Sequence, residues 1–164
     1  MVVPEWGLDR IGHVGIMVRD LQASMHHYWN ALGIGPWKVY TNSAPPVRCL
    51  YHGQPASYRV RLAFAATASV VLELIEYHEG DSIHRDFAVT QGEGLEHVGI
   101  YVPDLDPPLA HLLGQGLTVL QSAEGFGASA DGRYAYLDTR ATLGTILELV
   151  QAPTHRAEPE CVYP

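Results

Sequence analysis

Apolar positions recur along this chain with two different periods. The β-branched, glycine-rich alternation of residues 11–18 is typical of a strand, whereas the apolar residues of 21–32 recur at helical spacing. Asp20 stands where a helix N-cap is expected, and Gly33 where a C-terminal glycine ends a helix. The pattern therefore predicts a strand followed at once by a helix.

The same order of elements is predicted twice. After the first helix, strand-like runs lie near 37–41, 49–52, 58–65 and 70–77. The second half predicts a strand at 96–102, a helix capped by Asp106 with Pro107 at its first position, and strands at 117–121, 132–138 and 145–151. We expect an α+β fold: one domain over 1–164 with βαβββ repeats at 11–77 and 95–151, a connector helix at about 81–90, and an extended or frayed tail at 152–164.

An internal repeat accompanies this order. IGHVGIMVRDL at 11–21 and LEHVGIYVPDL at 95–105 are identical at seven of eleven positions, and VLELIE around Glu73 is echoed by ILELVQ around Glu148. Because side chains alternate across a strand, His13, Glu73, His97 and Glu148 all fall on the face away from the helices. A single strand histidine is more often a hydrogen-bonded structural residue, but four ionisable residues at matching places favour a first-row metal site.

Composition limits the kinds of partner. Hydrophobic residues make up 47% and charged residues 17% of the 164 residues, which is typical of a globular chain. The formal net charge of −8 disfavours nucleic acid and anionic membranes, so a small-molecule substrate is the expected partner. Two cysteines without a CxxC arrangement predict neither a disulfide framework nor a thiolate zinc site, and no signal or membrane-spanning pattern is found. We expect a cytoplasmic protein.

The motifs resemble a known group. The doubled βαβββ unit with its His, Glu, His, Glu order is similar to the vicinal oxygen chelate superfamily over residues 11–151, and GDSIHRDFAVTQGEGLEHVGIYVPDL with ILELVQ resembles methylmalonyl-CoA epimerases. The resemblance implies a cup-shaped mixed sheet with helices outside, a homodimer, and one divalent ion (Zn, Ni, Co, Mn or Fe) held by His13, Glu73, His97 and Glu148. It also implies that Glu148 is the ligand closest to the work of a catalytic base.

The sequence departs from the epimerase pattern in its first half. Residues 39–58 contain no Asp or Glu where another catalytic glutamate is expected. Tyr40, Asn42, Tyr51 and His52 are the candidates to replace it, and we take Tyr40 and His52 as catalytic candidates beside Glu148. The predicted substrate-binding residues are Trp37, which lines the pocket or packs the core, together with Asn42, Tyr136 and Asp138.

Three functions remain open at this point. The first is a metal-dependent isomerase, epimerase or lyase that forms an enolate on a small carbonyl compound or acyl thioester. The second is an iron-dependent ring-cleaving dioxygenase, which typically uses two histidines and one carboxylate. The third is a non-catalytic binding protein with the same fold. The full ligand set favours the first, of which a glyoxalase-type lyase is a close variant.

Overall fold

The computed structural model describes Leu8, residues 10–42 and residues 48–164. The strands in chain order are β1 (His13–Met17), β2 (Trp37–Asn42), β3 (Arg48–Tyr51), β4 (Gln54–Pro55), β5 (Tyr58–Ala66), β6 (Val71–Gly80), β7 (Gly94–Tyr101), β8 (Val119–Phe126), β9 (Gly132–Leu137), β10 (Ile146–Gln151) and β11 (Cys161–Tyr163). The helices are α1 (Leu21–Leu32), α2 (Ile83–Thr90), α3 (Asp106–Gly114) and α4 (Arg140–Leu143). The fold is mixed α+β, as the sequence predicts.

The chain divides into two compact units, each assembled from separate stretches. Among the described residues, the His13 unit comprises 13–42, 56–96 and 158–164, and the His97 unit comprises Leu8, 10–12, 48–55 and 97–157. Each contains the predicted βαβββ order, as β1-α1-β2-β5-β6 in the first and β7-α3-β8-β9-β10 in the second. No helix of the described chain is long and apolar enough to cross a membrane.

In the His13 unit the strands lie in the order β11-β2-β5-β6-β1, with β1 and β6 parallel and the other pairs antiparallel. Helix α1 covers one face of this sheet and buries Leu21 and Met25 against Trp37 and Leu74. The helix bounds agree with the prediction because local groups fix them. The Asp20 carboxylate accepts a hydrogen bond from the amide of Ala23 at 2.9 Å, and Gly33 adopts a left-handed φ of 68°.

In the His97 unit the order is β7-β10-β9-β8-β3-β4, with β7 and β10 parallel. Leu109 and Leu112 of α3 pack on a core that includes Ile100 and Leu149. Asp106 is the first residue of α3 and not its cap, which corrects the prediction. Asp104 accepts a hydrogen bond from the amide of Asp106 at 3.1 Å, while the Asp106 carboxylate pairs with Arg133 at 2.7 Å.

Each unit also acquires strand structure from outside its own repeat. The strand near Cys49 comes from the first copy of the sequence but pairs with β8 in the His97 unit. The C-terminal strand β11 pairs with β2 in the His13 unit, so the tail is extended but not frayed. Glu160 accepts hydrogen bonds from the amide and hydroxyl of Thr41 at 2.9 and 3.0 Å, which fixes the tail beside β2. Both additions cover strands that would otherwise be open edges.

Candidate metal centre

A buried imidazole–carboxylate pair lies on β1 and β6 of the His13 unit. Glu73 is in register with Gly15, so His13, two residues earlier on β1, projects from the same face as Glu73. The His13 Nε2 and Glu73 Oε2 atoms are 3.4 Å apart, and the two residues are only 3% and 7% exposed. Leu72 and Leu74 project from the opposite face and pack on the core beneath α1. Strand parity thus separates the ionisable pair from the core.

The same arrangement recurs on β7 and β10 of the His97 unit. Glu148 is in register with Gly99, and His97 lies two residues before that glycine on the same face. The His97 Nε2 and Glu148 Oε2 atoms are also 3.4 Å apart, with exposures of 0% and 5%. In both units, therefore, the glycine of the HVGI motif lies opposite the glutamate. A glycine has no side chain to compete there for the space beside the carboxylate.

The chemistry of the donor set fits a metal ion. Two donors bound to one ion at about 2.1 Å are about 3.0 Å apart at a right angle and about 3.4 Å apart at the tetrahedral angle, so each pair has the spacing of two ligands of one ion. Imidazole nitrogen and carboxylate oxygen together suit zinc, nickel, cobalt, manganese or iron. Each pair supplies one imidazole and one carboxylate, and both kinds of donor bind first-row metal ions. Burial supports this interpretation because ionisable groups removed from water need a charged or hydrogen-bonding partner.

Aromatic side chains adjoin both pairs. In the His13 unit, Phe64 is in register with Glu73, and the ring of Tyr40 lies edge-on to Phe64 at 5.8 Å. In the His97 unit, Tyr136 is in register with Glu148, and its ring lies edge-on to that of His97 at 5.2 Å. Predicted residues Tyr40 and Tyr136 thus lie on the same sheet faces as the ligand candidates of their own units.

The other predicted residues are placed differently. Trp37 is 0% exposed and projects into the core beneath α1, on the face opposite Glu73, so it is a core residue that offers no surface to a substrate. Strand parity explains this, because Tyr40 is three positions away from Trp37 and therefore projects from the other face. Asn42 ends β2, but its side chain is outside the described part of the chain.

Asp138 and His52 lie at chain turns. Both carboxylate oxygens of Asp138 accept hydrogen bonds from the Arg140 guanidinium, at 2.9 and 2.7 Å, and this pairing lowers the pKa of Asp138 below its usual value. His52 is exposed in the turn between β3 and β4 with a φ of 48°, and its ring lies 4.3 Å from that of Tyr51. Tyr136 differs from both residues, because it is in register with Glu148 and its ring contacts His97.

Two residues on the same sheet faces were not among the predicted site residues. Gln121 is fully buried and in register with Tyr136, on the face that carries Glu148. Lys38 is exposed and in register with Phe64, on the face that carries Glu73. The alternation within WKVY already contained a signal for Lys38, since it shares its parity with Tyr40. For Gln121 the local sequence offered none, because a bulge in the pairing of β8 shifts its register.

Comparisons with known proteins agree with this fold. Residues 12–136 match the family described as the glyoxalase/bleomycin resistance protein/dioxygenase superfamily. The chain is 27% identical over 144 residues to the uncharacterised protein YqjC of Bacillus subtilis strain 168, covering 88% of this chain and 93% of that protein.

Solved structures give the same result. A variant of Streptomyces coelicolor methylmalonyl-CoA epimerase in complex with 2-nitronate-propionyl-CoA is 25% identical with a TM-score of 0.66, covering 90% of this chain and 97% of the other. The Mycobacterium tuberculosis methylmalonyl-CoA epimerase shares the fold at 22% identity and a TM-score of 0.68, with coverage of 93% and 94%. The repeated βαβββ order and the family match over most of its length lead to one conclusion: the chain belongs to the glyoxalase/bleomycin resistance protein/dioxygenase superfamily.

Proposed function

We propose that the protein is a metal-dependent isomerase, epimerase or lyase that acts through an enolate on a small carbonyl compound or acyl thioester. The observation that carries this proposal is the pair of buried His–Glu contacts, each of 3.4 Å and each at the same register position of its repeat. We propose further that His13, Glu73, His97 and Glu148 share one divalent ion. Two imidazoles and two carboxylates, each binding through one atom, leave two coordination positions of a six-coordinate ion for two vicinal oxygens of a substrate.

A bound divalent ion would supply Lewis-acid stabilisation of the negative charge that develops on the substrate oxygen. Glu148 is the proposed base, since its carboxylate is an anionic acceptor on the ligand face of β10, with Tyr136 in register beside it. The Tyr136 ring packs against His97 at 5.2 Å and restricts the orientation of that imidazole. Because the His97 Nε2 atom lies 3.4 Å from the Glu148 carboxylate, this restriction also helps to position the carboxylate that accepts the proton.

Tyr40 is the proposed partner for proton return. Residues 39–58 contain no carboxylate, and Tyr40 projects from the same face of its sheet as His13 and Glu73. Its phenol donates and accepts hydrogen bonds, so it can return a proton to the carbon from which Glu148 removed one. His52 has no role in this reaction as we propose it, because its side chain lies exposed in a turn.

The ligand of a similar solved structure supports the proposed substrate class. The Streptomyces coelicolor neighbour binds 2-nitronate-propionyl-CoA, an acyl thioester ligand. We therefore propose an acyl thioester or a 2-oxo acid, either of which presents two oxygens on adjacent groups. The homodimer and the cytoplasmic location remain part of the proposal, to be checked by sedimentation velocity and by cell fractionation.

The test combines metal analysis with hydrogen exchange. Purified protein is analysed for bound metals, reloaded with Co²⁺, and incubated in D₂O with methylmalonyl-CoA or a series of 2-oxo acids while deuterium incorporation is followed by NMR. We expect one ion per chain and enzyme-dependent exchange at the carbon next to the carbonyl. Glu148→Gln should reduce the exchange rate at least a hundredfold, as the loss of a general base does. Glu79→Gln is the matched control, since Glu79 is 67% exposed on β6.

Several results would contradict the proposal. A protein that binds no metal under these conditions would indicate a binding protein, and iron with oxygen consumption would indicate a dioxygenase. Unchanged exchange in Glu148→Gln would remove Glu148 from the role of base.

A further inference from the structure

Lys38 occupies a distinctive place on the ligand face of the His13 unit. The strand register runs straight across the sheet from Lys38 on β2 through Phe64 on β5 to Glu73 on β6. Neighbouring strands lie about 4.8 Å apart, so the Cα atoms of Lys38 and Glu73 are about 10 Å apart. A cation, an aromatic ring and a candidate metal ligand therefore follow one another in a single row.

The burial pattern of β2 fixes the direction of this lysine. Trp37 and Val39 on either side of it are both fully buried in the core beneath α1, whereas Lys38 itself is exposed. The side chain consequently projects from the opposite face, together with Tyr40 and Phe64. Strand β2 lies next to the edge strand β11. Because Lys38 is exposed there, its ammonium group is accessible to solvent and to a ligand.

The charge of Lys38 is also unusual for this protein. It is the only lysine of a chain with a formal net charge of −8. Over the described ranges, 10–42 and 48–164, the ion pairs involve arginines and histidines, and Lys38 takes part in none of them. In the row across the sheet the nearest carboxylate is Glu73, two strands away, and the Glu160 carboxylate beside β2 accepts hydrogen bonds from Thr41. The ammonium group is thus available to an external anion.

We propose that Lys38 is a specificity-determining residue that binds a second anionic group, a carboxylate, at the end of the substrate remote from the metal-chelating oxygens. This inference rests on the proposed function and narrows its substrate class. The substrate carries a chelating carbonyl group at one end, an unbranched or ring-containing middle that packs on Phe64 and Tyr40, and a carboxylate that accepts hydrogen bonds from the Lys38 ammonium. A substrate of equal length without the terminal carboxylate lacks this last interaction.

Two six-carbon 2-oxo acids provide the test. 2-Oxoadipate and 2-oxohexanoate share the chelating end and differ in the terminal carboxylate. Their dissociation constants for the Co²⁺-loaded protein are measured by isothermal titration calorimetry. We expect 2-oxoadipate to bind about fivefold more tightly, the size of one partly exposed ion pair. Lys38→Met should abolish this preference without changing the affinity for 2-oxohexanoate or for Co²⁺, and Lys38→Arg should retain it.

Arg61→Met is the matched control. Arg61 is a partly exposed cation on β5 of the same sheet, but it projects from the opposite face and pairs with Glu76 at 3.8 Å. Its loss should leave the preference intact. Equal binding of the two acids, or a preference that survives in Lys38→Met, would overturn the assignment of Lys38 while leaving metal binding and exchange untouched. Failure of both acids to bind a protein that is loaded with metal would instead overturn this inference and remove 2-oxo acids from the proposed substrate class.

Discussion

In the described part of the chain, the buried histidines and glutamates occur as pairs of one histidine and one glutamate. His13 with Glu73 and His97 with Glu148 are such pairs, and each imidazole is 3.4 Å from its carboxylate. A buried carboxylate or imidazole is unfavourable unless a partner compensates for the lost hydration. Within each pair the imidazole and the carboxylate compensate for each other's burial, and a bound cation would stabilise the carboxylates further.

A third pair of this kind, His84 with Glu96, tests the cost of breaking one. The two residues are 2% and 1% exposed, and the His84 Nδ1 lies 2.9 and 3.1 Å from the Glu96 carboxylate oxygens. His84→Leu removes this partner of a buried carboxylate and should lower the free energy of unfolding by about 3 kcal/mol, measured by urea denaturation. The exposed His27→Ala on α1 serves as control and should change it by less than about 0.5 kcal/mol.

The double variant His84→Leu with Glu96→Leu separates the pair from its surroundings. It removes the carboxylate as well, so it should recover a large part of the lost stability. A double variant no more stable than the single one would show that packing around His84, and not the ion pair, is what the single change disturbs.

Among the elements, the loop between β8 and β9 is held by hydrogen bonds to a second loop, at residues 153–155, which the sequence pattern did not predict. The loop between β8 and β9 is tied to residues 153–155, because Asp131 accepts hydrogen bonds from the hydroxyls of Ser129 and Thr154 and from the amide of Thr154. The amide of His155 in turn donates to Ser129 at 3.0 Å. A glycine-rich loop is thus fixed against the start of the tail.

This loop predicts a pH dependence of stability. The hydrogen bonds from Ser129 and then Thr154 lower the pKa of Asp131 from 3.8 to about 2. A carboxyl group whose pKa is lower in the folded than in the unfolded state stabilises the fold above pH 4, and this stabilisation is lost as the pH falls from about 4 to about 2. Asp131→Asn should therefore be less stable than the wild type at pH 6, with a difference that shrinks over that interval.

Urea denaturation at pH 6, 4, 3 and 2 measures this difference. Ser129→Ala removes one of the donors to Asp131 and should show a smaller version of the same trend. A difference between wild type and Asp131→Asn that stayed constant over the whole range would contradict the assignment of these hydrogen bonds.

At the scale of the whole molecule, the proposed metal should contribute to stability. A ligand that binds only the folded chain stabilises it by about 2.7 kcal/mol at a concentration one hundred times its dissociation constant. We expect Co²⁺ to raise the melting temperature of the metal-free protein and EDTA to reverse the effect, both followed by circular dichroism.

Single histidine changes distinguish one shared ion from two separate ones. If one ion binds His13, Glu73, His97 and Glu148 together, His13→Ala and His97→Ala should each abolish most of the Co²⁺ effect. His27→Ala should retain it. If the two pairs bound separate ions, metal analysis would find two ions per chain in the wild type and one in each single variant.

Much of the fold and part of the candidate site were predictable because they depend on local geometry. The bounds of α1 follow from helical spacing, the Asp20 cap and the left-handed Gly33. The faces of His13, Glu73, His97 and Glu148 follow from the twofold period of a strand. Even the order of elements in each repeat needed only short-range patterns. The prediction for α3 missed its cap because Asp106 is held by Arg133, a residue remote in sequence.

The βαβββ order, the two repeated histidine–glutamate pairs and a donor set suited to a first-row metal can therefore be read from the amino-acid sequence. Tertiary structure alone decided that β3 pairs with β8, that β11 pairs with β2, that Trp37 belongs to the core, and that Lys38 shares a row with Glu73. The physical reason is that alternation and capping act between neighbours in the chain. Strand partners and their register are instead selected by hydrogen bonds and packing between segments far apart in sequence.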